Sequence, residues 1–344
     1  MYTVQHGDTL AKLAVFYGTT VNAWLDENEE LELRTPGYLI PGEKLKPPKR
    51  GRKRTAAPYE CVEEFGPREL KIWMQNLQNK EYANVRTESI GASVLGWPLE
   101  LIKLGQGNKK IFLSAGWHAN EWHTSLFLIR MIEDLLKNES TYDGVEVSVL
   151  PMVNPDGIQL VQEGVYPGHP YKNEVLSIND GVPFFDHWTA NIRGVDLNHQ
   201  WPAGWKREAY TSPQSAAPKH YGGKAPLTEP ETRAVYQWVE EIQPDAVLAF
   251  HSQGEEIFWG YRQKEPAESA SWAVRLAQAS AYRPIRQADS YAGFKDWFID
   301  RFEKPGFTIE MGRGENPLPF AAFPNMWIHG RRLVYEALQL ANEE

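Results

Sequence analysis

Cysteine is all but missing: Cys61 is the only one in 344 residues. A single thiol excludes an internal disulfide and any zinc site built on several cysteines. Cys61 itself reads as a small buried or half-buried thiol. Long apolar runs are missing too. None approaches the ~18 residues that a membrane-spanning helix requires, so no membrane partner is expected. The first residues, MYTVQHGDTL, have neither the basic start nor the apolar stretch of a secretory leader, and export by the usual route is not expected. Positive charge is in deficit, with a formal net charge of -9, which argues against a general nucleic-acid binder.

What is present is ample core material. Apolar residues make up 42% of the chain and aromatic ones 12%, enough for a sizeable folded interior, and the length points to two domains. Residues 1–47 read as one unit. It has a short strand at 2–5, a turn at His6-Gly7, a helix capped by Asp8 or Thr9 and closed by Gly18, and a second helix over 20–28. A turn and a final strand follow in GYLIPGEKLKPP, 37–48. This βααβ pattern, with YTVQHGDTL, YG and LIPGEKLKPP, resembles the LysM module. The resemblance implies binding to N-acetylglucosamine-containing glycans such as peptidoglycan. The acidic segment DENEELEL, 26–33, is richer in carboxylates than that module usually is. Residues 48–58, with proline, glycine and five basic side chains, read as a solvated linker rather than a nucleic-acid patch.

From residue 59 to 344 apolar strands alternate with amphipathic helices. A helix is expected over 68–80, two strands joined at Leu95-Gly96 over 87–105, and a strand at 109–116, KKIFLSAG. A helix over 124–138 and a strand running into a turn over 145–157 come next. Residues 158–226 are rich in proline and glycine and read as one long loop region, of a length that in compact domains is usually functional. The helix over 228–242 is expected to start in a capping box, with Thr228 as cap and Glu231 three residues on. Strands are expected at 244–250 and 307–310, and helices over 271–281 and 329–344. The order implies an α/β domain, a mixed, mostly parallel sheet with helices on both faces.

Polar residues collect where these strands stop. His118 and Glu121 follow the strand at 109–116, Asn154 follows the next, His251 follows 244–250, and Glu310 ends the last. A parallel sheet carries such ends to one rim, where ligands of open α/β sheets bind. An HxxE pair alone is weak, because a chain rich in carboxylates produces it by chance. Together, His118, Glu121 and His251 make the two-imidazole, one-carboxylate set of a catalytic zinc centre with one position left open. Glu310 is then either the carboxylate that moves protons for that centre or an ion-paired side chain facing a loop. His123 makes the spacing H-x-x-E-x-H, which is neither HExxH nor HxxEH, and is expected to pack or hydrogen-bond behind the site. His6, His169, His187, His220 and His329 have no partner at ligand spacing and read as surface or satisfied residues.

HANE, NPDG, GVDLN, a distant His-Ser and FTIE, in that order over about 65–340, resemble the metallocarboxypeptidase family of zinc peptidases. The resemblance implies one zinc ion per chain on His118, Glu121 and His251, with Glu310 as general base and acid. It implies Asp196 as the carboxylate that orients His118 and Asn198 as a substrate contact. Tyr291, in SYAGFKDW, matches the family's mobile substrate tyrosine at a shorter spacing to the DW pair. Three departures bear on substrate. The family's DLNRN, whose arginine grips a terminal carboxylate, is DLNHQ here, with His199 in the arginine's place. Asn120 replaces the arginine of HxRE. Thr189 stands near the place of the transition-state arginine, and Arg193 is the nearest candidate to act instead.

HSQGEEIFWGY and EMGRGENPLP look like the branch that cleaves γ-D-glutamyl–diamino acid bonds, to diaminopimelate or lysine, in peptidoglycan peptides. Arg313, in the second string, is a candidate for a substrate carboxylate or for a salt bridge. The expectation is a zinc peptidase acting on muropeptides and held on wall glycan by residues 1–47. It would act in the cytoplasm, or at the wall during sporulation or after release. The alternatives are a zinc amidohydrolase or deacylase on another small acyl substrate, and a non-catalytic peptidoglycan-binding protein.

Overall fold

The structure is a computed structural model that describes residues 1–5, 8–17, 19, 21–28, 31, 39–48, 64–80, 82–166, 168–286 and 290–343. Beyond Pro48 the expected linker lies outside the described residues, as do Gly18, Cys61 and part of the acidic segment 26–33.

The N-terminal unit has the expected order, β1 (Tyr2–Thr3), α1 (Leu10–Tyr17), α2 (Val21–Glu27) and β2 (Lys44–Leu45). Tyr2 pairs with Leu45 and Thr3 with Lys44, antiparallel. Of the two candidate caps it is Thr9 that serves α1, its hydroxyl accepting the Lys12 N–H at 3.2 Å. Asp8 instead bonds back to the segment at Tyr2–Gln5, accepting from Tyr2 Oη and from the Gln5 N–H, each at 2.6 Å; the expected turn at His6-Gly7 lies outside the described residues. Trp24 is fully buried among Val4, Leu10, Leu13 and Leu45. The unit rests on the larger domain through Lys12, whose Nζ lies 3.1 Å from Glu69 and 4.0 Å from Glu163. Both carboxylates are nearly buried there, so solvent screens this contact less than an exposed ion pair.

The larger domain runs α3 (Pro67–Gln78), β3 (Val85–Ala92), β4 (Pro98–Leu104), β5 (Lys109–Ser114), α4 (Trp122–Leu135), β6 (Val145–Leu150), α5 (Pro155–Glu163), α6 (Lys172–Ile178), α7 (Trp205–Thr211), α8 (Pro230–Ile242), β7 (Ala246–His251), β8 (Glu256–Phe258), α9 (Glu268–Ser280), β9 (Arg283–Ile285), α10 (Phe294–Phe302), β10 (Gly306–Glu310) and α11 (Phe323–Glu343). Its sheet has the order β3-β4-β6-β5-β7-β10-β8-β9. The central strands β6, β5, β7 and β10 are parallel, and the antiparallel pairs lie at β3-β4, β4-β6 and β10-β8.

Side chains alternate with the period of two that a pleated strand imposes. Ile111 and Leu113 of β5 face α4, α9 and α11, while Phe112 faces α8 and α10. All six residues of β7 are buried, as befits a strand covered on both faces. Phe112 packs between Trp238 and Phe294, with ring centroids 4.8 and 5.9 Å away. No helix among the described residues is long and apolar enough to cross a membrane.

Two expectations change. Residues 158–226 are not one loop: most of α5, all of α6 and α7, and a 3-10 turn at Leu197–His199 lie within them. Helices of seven to nine residues span about two turns, too short for an apolar stripe to stand out. The capping box at Thr228 does not form. α8 starts one residue later, with Glu229 as cap and Pro230 in the first turn. Thr228 Oγ1 donates to Gln200 Oε1 at 3.0 Å, and Glu231 accepts the N–H of Val94 at 3.1 Å.

Candidate active site

After β5 the chain turns at Gly116, where φ is 63° and a Cβ would lie 2.4 Å from Ser125 Oγ. Only glycine suits both the left-handed backbone and the close approach of α4. The turn carries His118 and ends on Glu121, the residue that caps α4. His251 is the last residue of β7, Glu310 the last of β10, and the two are register neighbours. Asn154 is a clamp on this rim. Its side-chain carbonyl accepts the Gly157 N–H at 3.0 Å, and its amide donates to the carbonyls of Trp117 and Ala190 at 3.2 and 3.0 Å. Sheet topology therefore brings together groups more than 190 positions apart. The rim lies beside β5, where the connections leave in opposite directions, the place at which open α/β sheets bind ligands.

His118 Nδ1 lies 2.7 Å from Glu121 Oε1, His251 Nδ1 lies 3.0 Å from Glu121 Oε2, and the two Nδ1 atoms are 3.3 Å apart. Two imidazole lone pairs at that distance repel unless a proton or a cation sits between them. Burial pushes Glu121 up, but the two imidazoles outweigh it and hold the carboxylate at about 2. Burial works against charge on His118, yet Glu121 and Asp196 raise it well above its ordinary value; for His251 burial prevails and lowers it. Two nitrogens and one carboxylate, grouped within 4.8 Å of one another among the described residues, fit a zinc ion with an open position. The other ring nitrogen of His118, Nε2, lies 3.2 Å from Asp196 Oδ1. This places a carboxylate behind the imidazole and fixes Nδ1 as the free ligand atom.

Asp196 is buried and held well below the carboxylate range; its burial is outweighed by His118 and His199. Its Oδ1 also accepts the Asn198 N–H at 3.1 Å, and its Oδ2 accepts from Thr189 Oγ1 at 3.1 Å and from the His220 N–H at 3.2 Å. Asp196, His199 and His220 form a second cluster of metal-type donors. With both oxygens already taken by these donors, Asp196 has no lone pair to spare for an ion. Glu310 opens on a cleft of about 690 Å³ lined also by Asn120, Phe184, Thr189, Lys219, Ser252 and Asn316. Its pKa is raised well above the usual value, first by burial and then by the charge of Glu121, with His118 opposing. A carboxylate so raised is a stronger proton acceptor.

The other candidates divide. Asn198 stands beside the site, but its Oδ1 is occupied by the Phe294 N–H at 3.0 Å. His199 Nδ1 lies 3.2 Å from Glu208 Oε1, and the Tyr291 N–H donates to the other oxygen of Glu208 at 2.9 Å. Arg193 turns away, 3.5 Å from Glu229, and Arg313 forms an exposed pair with Glu255 at 2.6 Å. Neither guanidinium is among the residues that line the cleft. His123 packs face to face on Trp122 with 3.7 Å between centroids, and neither ring nitrogen has a partner; burial alone lowers it to about 3. Asn120 donates to the Asp186 carbonyl at 2.9 Å.

Sequence reasoning missed His187 and Lys219, which line the cleft, and His220, whose ring meets that of His199 at 5.3 Å. All three sit in the stretch read as loop, where no periodic signal marks a position.

Comparison with known proteins follows this geometry. Residues 70–330 match the family described as zinc carboxypeptidase, and residues 2–48 match the LysM domain. Gamma-D-glutamyl-L-diamino acid endopeptidase 1 of Lysinibacillus sphaericus is 41% identical over 258 residues, covering 72% of this chain and 65% of that protein. The chain thus matches just under two thirds of that relative's length. The uncharacterized protein YqgT of Bacillus subtilis (strain 168) is 39% identical over 270 residues, 74% of this chain and 72% of that one. Among solved structures, bovine thrombin-activatable fibrinolysis inhibitor in complex with tick carboxypeptidase inhibitor has a TM-score of 0.68 at 18% identity, covering 83% of this chain and 99% of that one. That is a likeness of fold.

Proposed function

Because the chain belongs to the zinc carboxypeptidase family, we propose that it is a zinc peptidase that hydrolyses the γ-D-glutamyl–diamino acid bond of peptidoglycan peptides, with its LysM domain on the glycan of the same polymer. The observation that carries the hydrolase reading is Glu310, register neighbour of His251 and close enough to Glu121 and His118 to feel the charge of both, opening on the cleft. The bond is inferred from the relative at 41% identity whose name states it.

His118, Glu121 and His251 would hold the zinc ion, which when bound supplies a Lewis acid for the scissile carbonyl and for solvent. Asp196 keeps the proton of His118 on Nε2, so that Nδ1 is free to ligate. Glu310 accepts the proton of the attacking water while its oxygen adds to the carbonyl carbon. As the carbon–nitrogen bond breaks, Glu310 returns that proton to the departing amine of the diamino acid. The glutamyl γ-carboxylate and the free amine are then the two products. Lys219, on the cleft wall, is a cation available to the α-carboxylate that γ-linkage leaves on the glutamyl residue.

Digesting soluble muropeptides with the zinc-loaded chain and weighing the fragments tests this directly. Expected are fragments that end in γ-D-glutamate and fragments that begin with the diamino acid. Cuts only at other bonds, or an intact substrate, would sink the proposal.

A further inference from the structure

We propose that the groove between α3 and the β3–β4 turn is a second glycan site, a saccharide platform of the peptidase domain that leads a wall strand from the LysM domain to the metal centre. This rests on the peptidoglycan substrate proposed above. The groove holds about 520 Å³ and follows α5 along its length. At one end lies Pro155, the residue after Asn154, whose amide donates to the Trp117 carbonyl, next to His118, at 3.2 Å. Midway, Trp97 lines the groove, its indole N–H donating to Gln159 Oε1 at 3.0 Å. At the other end lies Pro67. Its neighbour Gly66 packs so close to Gln162 that no Cβ would fit, and Arg68 Nε donates to Glu163 Oε1 at 2.9 Å. Glu69 and Glu163 are the carboxylates that meet Lys12 of the LysM domain, at 3.1 and 4.0 Å. The nine residues of α5 span about 13 Å, and the groove beside them joins the LysM contact to the rim that carries His118.

The lining sets the class of ligand. Leu70, Met74 and Trp97 form an apolar wall, and Lys71, Gln75 and Glu100 place polar groups along it. One cation and one carboxylate cancel, so the groove has no excess charge to select a phosphate or an acidic peptide. Glu100 is half-buried, and its carboxylate has neither an ion pair nor a hydrogen bond among the described residues. Burial alone raises it above its ordinary value. A carboxylate drawn from water without a partner is costly until a ligand's donor completes it. The Gln75 amide both donates and accepts, as a sugar hydroxyl does. An aromatic face held still by its bond to Gln159 suits the C–H face of a pyranose ring and the methyl of an N-acetyl group. Concave sites of this size, apolar with a few polar groups and set where domains meet, are usual ligand sites.

Hydrogen exchange on the zinc-loaded full chain, with and without N-acetylglucosamine oligomers, tests the site apart from catalysis. Expected is slower exchange at 67–78 and 95–100 as well as within 1–47. Slowing confined to 1–47, or none anywhere, would overturn the proposal. So would slowing of 67–78 and 95–100 by a sugar-free stem peptide in place of the oligomers, which would make this a peptide groove. Q75A/E100Q removes two hydrogen-bonding groups from the wall. On a glycan-linked stem peptide it should lose on the order of tenfold more in kcat/KM than on the same peptide without sugar; equal losses on the two would refute the site. Failure of the wild-type chain to cut either substrate would count against the proposed function, while the exchange pattern would still decide this site.

Discussion

Asp196 offers the sharpest test of how the metal centre is held, because two substitutions there should differ by an amount the structure sets. The carboxylate meets His118 Nε2 and the Asn198 N–H on one oxygen, and the Thr189 hydroxyl and the His220 N–H on the other. Asparagine has one acceptor oxygen and one amino group. The amide will turn its oxygen toward His118 and Asn198, since Thr189 Oγ1 can give its proton to the Pro218 carbonyl, 3.3 Å away. The His220 N–H is then left without an acceptor, and the contact with His118 becomes neutral. Charge-assisted hydrogen bonds are roughly twice as strong as neutral ones, so the loss at His118 is about 1 kcal/mol, near fivefold in zinc affinity.

Alanine removes the acceptor entirely. It leaves the Nε2–H of His118 buried and unsatisfied, at about 1–3 kcal/mol, and frees the ring to rotate. Zinc affinity should then fall about 100-fold, the upper end for residues behind a metal ligand. Competition against a chromophoric chelator at fixed pH measures both dissociation constants without reference to turnover. Equal affinities for Asp196→Asn and Asp196→Ala, or for either one and the wild-type chain, would refute the role assigned to this carboxylate.

Other consequences can be checked in parallel. Glu310→Gln should retain one zinc per chain and lose turnover by at least ~100-fold; full turnover would remove Glu310 from proton transfer. Burial, then the neighbouring Asp156, raises Glu231 from 4.5 to about 8. A carboxyl raised on folding favours the native state below its unfolded value, and that advantage is lost as pH climbs from about 4.5 through 8. Thermal melts of the wild-type chain should therefore fall over that range more steeply than those of Glu231→Gln, by a few kcal/mol at the alkaline end; parallel curves would contradict the linkage. Deleting residues 1–47 should reduce action on polymeric wall more than on a soluble tripeptide, and equal losses on both would argue against glycan tethering.

How much of this could be read beforehand depended on what kind of element carried each residue. Strands β5, β6 and β7 each finish in a buried run between two helix layers, so their ends were visible as places where a polar residue abruptly follows that run. His118, Glu121, His251 and Glu310 all occupy such places. β8 and β9 have three residues each, too few for any alternation to show, yet they complete the sheet beyond Glu310. The failed capping box at Thr228 has a tertiary cause. Gln200 Oε1 is a nearer partner for Thr228, and the Val94 N–H claims Glu231, so contacts from distant segments override the local pattern. His199 could be placed beside the site, but Glu208, which decides what its imidazole can do, lies on a two-turn helix that no periodicity announced.

This division has a physical reason. Groups that hold an ion must stay fixed to fractions of an ångström, and strand ends in a sheet covered on both faces provide that. His251 and Glu310 share a backbone register, while Asn154 pins the turn that carries His118 to two neighbouring segments. The segments beyond these strand ends are built differently. α6, α7, the turn at Leu197–His199 and the segment around Tyr291 are short pieces tied by side-chain bonds such as those of Glu208 and Asn191. Exchanging one residue there, as with His199 in the arginine's place, need not disturb the metal ligands, because Asp196 separates the two through its own saturated hydrogen bonds. Recognition can therefore change while the chemistry stays, and the residues that set specificity have to be sought among contacts in space rather than in motifs along the chain.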